Sequence, residues 1–480
     1  MWQYLWHYLP RNYSIIYLNS LAILIECEDC HNFNDMKKSS YIIVVRHAGY
    51  VICYNAFTNT LLCVSNNVYQ AFEELDAVKF KMKYEKHYSA FLQNGFYIDD
   101  ERNELDEIRF NYKQEAFGHN RNFRLMVFPT QDCNLKCWYC YENHKPNTKM
   151  EHVVMENVIR YASNVIAKVE IESFVLSFFG GEPLLFFDEI AYPLSVRIKK
   201  MCDESGIRFT TFFVTNGTFV TKENIKLFQE INSVFQITLD GCREKHNMVR
   251  IQKRQNLPTY DKIIESLYLI SENVETTVDD QMVTLRINYD NQTLKKIGEL
   301  VNDIKGLDRR KFLIHFERVW QTQDSSEDEN QKLLLLNAVR LFIQNGFIVN
   351  IGNFKNRNVS CLAENHNFAI INYDGLVYKC NGRTLSPDYA EGKLLDNGTI
   401  EWNRTALARR LGKSTFENPM CLKCKMLPVC MGPCSQKCME LNWQNLHQVC
   451  SLKSIGMSLD NYLTLRAEQV FVAKQLINKE

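Results

Sequence analysis

The stretch Thr130-Gln131-Asp132-Cys133-Asn134-Leu135-Lys136-Cys137-Trp138-Tyr139-Cys140-Tyr141 places three thiols at C-x3-C-x2-C. Cys133, Cys137 and Cys140 therefore share one short loop, with no fourth cysteine in step. Structural zinc takes four ligands, usually from two paired knuckles. A cubane iron–sulfur cluster held by only three thiolates instead keeps one iron free for another ligand. The trio suits such a cluster, and the plain alternatives are a chance grouping of buried thiols or a stray zinc site.

A second cysteine territory lies far downstream. Cys361 is followed by thirteen residues, Gly375, four residues and Cys380; then come Cys421-x2-Cys424-x5-Cys430-x3-Cys434, Cys438 and Cys450. A zinc ribbon would use one pair of knuckles and leave Cys361, Cys380 and Cys450 without a role. The odd total of 17 cysteines and these spacings argue for metal rather than a secreted disulfide scaffold. Thiolates that ligate iron must stay reduced, which implies the cytoplasm. Cys27, Cys30, Cys53, Cys63, Cys202 and Cys242 read as structural thiols, since free cysteine packs as a small hydrophobe.

Elements must hold these loops in place. The apolar run Phe123 to Phe128 reads as a buried strand leading into the first cysteine loop. Further strand-like runs follow at Phe174 to Phe179, Phe209 to Val214, Phe235 to Leu239, Val283 to Asn288 and Phe312 to Val319, alternating with amphipathic helical stretches. Regular β-then-α repetition predicts an α/β fold with a parallel sheet and right-handed crossovers. Ahead of it, Tyr41 to Arg46, Val51 to Asn55, Leu61 to Ser65 and Phe96 to Ile98 read as short strands, with helices over Asn67 to Leu75 and Glu85 to Gln93. The polar stretch Gln321 to Gln331 reads as a linker, and Leu333 to Ile343 as a packed helix.

Composition narrows the class. The chain has 480 residues, so two to four units are expected. Hydrophobic residues make up 46% and charged residues 23%, ordinary for a globular protein, and acidic and basic residues balance at 56 each. That balance leaves no electrostatic footprint for nucleic acid or an anionic membrane. The run Ser14 to Ile25 is too short and too interrupted to span a bilayer. Met36-Lys37-Lys38 offers an alternative start.

The three-cysteine loop resembles the signature of the radical S-adenosylmethionine superfamily. In that superfamily the open iron of a [4Fe-4S] cluster chelates the cosubstrate, and one electron cleaves it to a 5′-deoxyadenosyl radical. The resemblance implies a partial (β/α)6 TIM-like barrel of six strands, with a site at the C-terminal strand ends. Phe179-Gly180-Gly181-Glu182-Pro183 resembles the family's GGEP segment, whose peptide groups and glutamate meet the methionine ammonium. Asn216 in Thr215-Asn216-Gly217-Thr218, Thr238 in Ile237-Thr238-Leu239-Asp240-Gly241, and Arg250 resemble further cosubstrate contacts, with His246 between them. Tyr139 takes the place of the family's aromatic residue beside the adenine, and Arg286 and Asn288 line the same cavity.

The downstream cysteines resemble the SPASM domain, which holds two auxiliary [4Fe-4S] clusters. By that resemblance Cys361, Cys380 and Cys434 bind the first. Cys421, Cys424, Cys430 and Cys450 bind the second. Cys438 either closes the first site or leaves it an open iron. The implied order is an N-terminal extension (1–39), a small α+β module (40–120), the barrel (121–320), a linker and helix (321–358), the SPASM domain (359–455) and a C-terminal helix (456–480). The small module resembles, in layout, the winged-helix peptide-recognition elements of ribosomal-peptide-modifying enzymes. The implied activity is modification of a peptide, with a flavodoxin or ferredoxin as reductant. An anaerobic sulfatase maturase is the rival reading, and a non-catalytic iron–sulfur carrier is the rival of another class. No motif assigns a general base, although Asp374 and Glu364 are acids in the right territory.

Overall fold

The computed structural model describes residues 15–17, 36–47, 49–118, 121–275, 282–319, 321, 328–351, 354 and 358–477. Cys27, Cys30, most of the expected N-terminal extension and residues 322–327 of the expected linker lie outside these.

The N-terminal module runs β1 (Ile15–Tyr17), β2 (Met36–Lys38), β3 (Ile42–His47), β4 (Tyr50–Asn55), β5 (Thr60–Val64), α1 (Asn66–Glu74), α2 (Ala77–Lys83), α3 (Glu85–Gln93), β6 (Tyr97–Asp99) and α4 (Glu104–Ala116). One sheet has the order β1-β5-β4-β3, and β2 pairs with β6. Ser65 and Asp76 start α1 and α2 by accepting from the backbone N–H of Val68 and Lys79, satisfying donors that a helix start leaves open. Strands β3, β4, β5 and β6 stand where they were expected, whereas β1 and β2 were not read from the sequence. Helices α2 and α4 were not read from the sequence.

The barrel begins at β7 (Asn122–Val127) and continues as α5 (His152–Lys168), β8 (Ser173–Phe178), α6 (Tyr192–Glu204), β9 (Arg208–Thr215), α7 (Ile225–Glu230) and β10 (Ser233–Thr238). After α8 (Arg243–Val249) and α9 (Tyr260–Asn273) come β11 (Val283–Tyr289), α10 (Asn291–Lys295), α11 (Ile297–Asp303), β12 (Phe312–Arg318), α12 (Glu329–Gln344) and β13 (Ile348–Asn350). The second cysteine territory holds β14 (Phe368–Ile371), β15 (Leu376–Tyr378), β16 (Gly392–Leu394), β17 (Ile400–Trp402), α13 (Arg404–Leu411) and the short helices α14 (Pro419–Leu422), α15 (Leu427–Cys430) and α16 (Ser435–Glu440). The chain ends on α17 (Leu459–Ile477).

All six expected barrel strands are present and parallel, in an open sheet ordered β13-β12-β11-β10-β9-β8-β7-β14-β15-β16-β17. The parallel run is longer than expected at both ends. β13 pairs with β12, and β14 pairs with β7, Phe368 lying opposite Arg124. The sheet thus runs through the boundaries expected near 320 and 359: the segment read as linker and helix contributes a strand, and so does the start of the cysteine-rich territory.

Packing explains the phenylalanine-rich strands. Phe213 on β9 is fully buried, stacked on Phe178 of β8 at 5.0 Å between ring centroids and edge-on to Phe228 at 5.4 Å, with Phe235 of β10 at 6.0 Å. Such contacts add to the transfer free energy of each ring. Helix α17 clasps both ends of the chain. Arg466 donates to Asn59 at 2.9 Å, Glu468 pairs with Arg340 of α12 at 2.8 Å, and Gln469 accepts from the Val349 N–H of β13 at 2.8 Å. Phe213→Ala is expected to destabilise the sheet by about 3–5 kcal/mol, read as a lower urea midpoint; an unchanged midpoint would contradict this packing.

Candidate active site

The loop that leaves β7 is held from three sides. The Asp132 N–H donates to Thr130 Oγ1 at 2.8 Å, and the Cys133 N–H to Asp132 Oδ1 at 2.8 Å. From β8, the Gly181 and Glu182 N–H groups donate to the carbonyls of Thr130 and Asp132 at 3.2 and 2.8 Å. From beyond α8, Lys136 donates to the Ile251 carbonyl and Lys253 to the Asn134 carbonyl, at 3.0 and 2.7 Å. The glycines are a steric requirement here. Gly180 has φ +119°, and a Cβ on Gly181 would overlap the Asp132 carbonyl.

Glu182 is buried and braces two strand ends. Its carboxylate accepts from the Leu184 N–H at 3.0 Å, the Thr215 hydroxyl at 2.7 Å and the Asn216 N–H at 2.8 Å; burial pushes it up to about 7. Asn216 in turn donates to Asn134 Oδ1 at 2.8 Å, so the turn after β9 also grips the cysteine loop. Thr238 ends β10 buried, opposite Arg286 of β11.

Tyr139 joins the first loop to the later strands. Its hydroxyl donates to Asp240, and accepts from Arg250 Nη1 at 2.9 Å and Asn288 Nδ2 at 3.0 Å. One donor and two lone pairs are thereby used up. Arg250 is 6% exposed, yet its Nε has no partner among the described residues, a costly state for a charged donor. His246 fixes this corner. It accepts the Asp240 N–H on Nδ1 at 3.1 Å, so Nε2 carries the proton and donates to Thr259 Oγ1 at 3.1 Å. Burial, and then the Arg250 charge, hold its pKa well below the usual value.

In the second territory Gly375 adopts φ +80° in the β14–β15 turn, where Asp374 accepts from Asn372 Nδ2 at 2.9 Å and the Leu376 N–H at 3.1 Å. Asp374 therefore serves the turn. Glu364 is buried, bonded by the Ser360 hydroxyl at 2.5 Å, and burial pushes it up to about 7. The cysteines influence one another electrostatically in two sets. Cys361 is pushed up to about 12 by burial, with Cys434 and Cys380 adding to it, and Cys430 up to about 12 by burial, with Cys450, Cys424 and Cys421 adding to it. Cys438 is buried, and its thiol is pushed up to about 12 by burial, with Cys434, Glu364 and Cys421 adding to it. Gln131 donates to Asn372 Oδ1 at 3.3 Å and so links the first cysteine loop to this hairpin.

All fifteen cysteines among the described residues are free, and burial raises Cys133 to about 12 and Cys140 to about 11. Thiols so raised are neutral at physiological pH unless metal draws the proton off, and the grouped, unoxidised sulfurs are donors suited to iron–sulfur clusters. Among the described residues no three His, Cys, Asp or Glu side chains surround the position of a single metal ion. No helix among them is long and apolar enough to cross a membrane. Sequence reasoning missed Glu142, whose carboxyl burial pushes up to about 8 and whose Oε1 has no partner among the described residues. Its one signal was an acid two residues after Cys140.

Residues 127–304 match the sequence model of the Radical SAM superfamily. A cysteine-type anaerobic sulfatase-maturating enzyme of Clostridium novyi is 23% identical over 365 residues, 68% of this chain and 91% of that protein. The radical SAM cyclopropyl synthase TigE of Paramaledivibacter caminithermalis is 24% identical over 203 residues, 38% of this chain and 41% of that one. An uncharacterized protein of Methanocaldococcus jannaschii is 28% identical over 167 residues, 34% of this chain and only 54% of that protein's length. Native anSMEcpe with bound AdoMet and Cp18Cys peptide has a similar fold, with a TM-score of 0.54 at 17% identity over 74% of this chain and 99% of that one.

Two outcomes check the site. Gly181→Ala should displace the cysteine loop, and the iron bound after anoxic reconstitution should fall by one cluster's worth; full loading would refute the steric reading. Because the folded His246 takes a proton far less readily than the unfolded one, stability attached to it is complete above about pH 6.5 and is lost as pH falls below that, by up to about 1.4 kcal/mol per pH unit. His246→Gln should flatten the stability curve between pH 7.5 and 5.5 in denaturant titrations.

Proposed function

Residues 127–304 being the radical S-adenosylmethionine domain of an iron–sulfur-dependent enzyme, we propose that this chain modifies a side chain or backbone carbon of a ribosomally made peptide, by crosslink, thioether or oxidation, in the cytoplasm. The observation that carries the reading is that one sheet supports both cysteine territories: β14 pairs in parallel with β7, and Gln131 of the first cysteine loop donates to Asn372 at the β14–β15 turn, with Cys361 preceding β14 and Cys380 following β15.

Cys133, Cys137 and Cys140 would hold the [4Fe-4S] cluster that the domain implies. Cys361, Cys380, Cys434 and Cys438 would hold one auxiliary cluster, and Cys421, Cys424, Cys430 and Cys450 the other. When bound, these groups and the cosubstrate supply a 5′-deoxyadenosyl radical after one-electron reduction by a flavodoxin or ferredoxin, and a sink for the electron that the substrate radical gives up. Gly180 and Gly181 let the strand end close on the cysteine loop. Glu182 braces Asn216 from below. Arg250, whose Nε has no partner among the described residues, would meet the cosubstrate carboxylate, and Tyr139, oriented by Asp240 and Asn288, would lie beside the adenine, with Thr238 a further contact. The small N-terminal module would receive the peptide.

A second reading has its own support. The Clostridium novyi maturase aligns over 91% of its length, which favours oxidation of a cysteine or serine to formylglycine. Offering a cysteine-containing sulfatase peptide and looking for formylglycine by mass spectrometry separates the two. For the shared chemistry, anoxically reconstituted protein given dithionite and S-adenosylmethionine should release 5′-deoxyadenosine. Cys137→Ala should abolish that release while leaving auxiliary iron bound. Fully loaded protein that releases none would instead be an iron–sulfur scaffold.

A further inference from the structure

Arg410 lies on α13, outside every motif discussed so far, and is 3% exposed. Two of its three nitrogens are spoken for. Nε donates to Glu391 Oε1 at 2.6 Å, and Nη2 donates to Gln436 Oε1 at 2.8 Å. Nη1 is fully buried with no acceptor among the described residues. A guanidinium is always charged, and a buried charged N–H without a partner is rarely left in a native structure.

Its two partners locate the orphan. Glu391 uses its other oxygen to accept the Lys379 N–H at 2.7 Å, directly before Cys380. Gln436 stands on α16 two residues after Cys434. Arg410 thus bridges two segments that carry thiols of the first auxiliary set, and Cys380, Arg410, Glu391 and Gln436 line one cavity of about 520 Å³.

We propose that Arg410 donates its free N–H to sulfur of the first auxiliary cluster and holds that cluster easier to reduce. This rests on the reading of Cys361, Cys380 and Cys434 as its ligands. A cluster bound by thiolates is anionic and presents sulfur acceptors, and hydrogen bonds and positive charge at those sulfurs raise its potential. Arg410 is a positioning and tuning residue, since nothing places it against the substrate.

The test uses the full chain with Cys133, Cys137 and Cys140 all changed to Ala, reconstituted anoxically, so that iron and the reduced-state electron paramagnetic resonance signal report auxiliary clusters alone. Arg410→Lys and Arg410→Gln are then introduced and titrated with dithionite. The expected result is iron equal to the parent, one of two midpoint potentials shifted to more negative values, and a larger shift for Gln than for Lys. Adding Cys450→Ala should remove the unshifted signal and leave the shifted one. Unchanged potentials at full iron would overturn the proposal. So would loss of iron in both variants, which would assign Arg410 to packing. Loss in Gln alone, with Lys retaining iron, supports the sulfur contact. A triple-alanine parent that binds no iron refutes the auxiliary clusters themselves, before Arg410 is touched.

Discussion

The backbones of Gly180-Gly181 and of Thr130 to Asp132 pass so close that no side chain fits between them, and hydrogen bonds from Gly181 and Glu182 close the gap. This contact decides where three sulfurs stand. Further tethers of the loop, at Lys136 and Lys253 on its far side, at Asn134 from Asn216 and at Tyr139, lie beyond Asp132. Glu182, next in the chain, converts the same contact into a brace to β9, because its carboxylate collects donors from Thr215 and Asn216. Rigid strands therefore position the loop, and the preorganisation that such chemistry requires is built from main chain.

A second constraint is polar and buried. Tyr139, Asp240, Arg250 and Asn288 satisfy one another around a single hydroxyl, and His246 holds the Asp240 backbone from behind. Paired buried groups of this kind specify one arrangement, and the Nε of Arg250 is a costly exception, without a partner among the described residues.

Much of this was legible in the sequence, for identifiable reasons. Phenylalanine-rich runs with β-branched neighbours can be little but buried strands, and all six were found in place. Thiol spacing sorted the cysteines into two territories, and only the fold shows that they share one sheet and meet at Gln131 and Asn372. β13 escaped notice because three residues carry no period, and β14 because nothing local says that Phe368 pairs with Arg124. No motif separated Asp374 from Glu364 as an acid, and only the built turn shows Asp374 bonded to Asn372 and Leu376. Glu182 reads as a contact for an ammonium, and in the fold its carboxylate also accepts from Leu184, Thr215 and Asn216. Arg409-Arg410 on a polar helix reads as a solvated pair, and only three-dimensional packing reveals that one of them is inside.

The clasp made by α17 has a consequence for how the molecule is born. Arg466 reaches back across 407 positions to Asn59, and within three residues Glu468 and Gln469 secure α12 and β13. Contacts between positions so far apart in the chain are the slowest to form, so this clasp closes late in folding, after the elements it joins have taken shape.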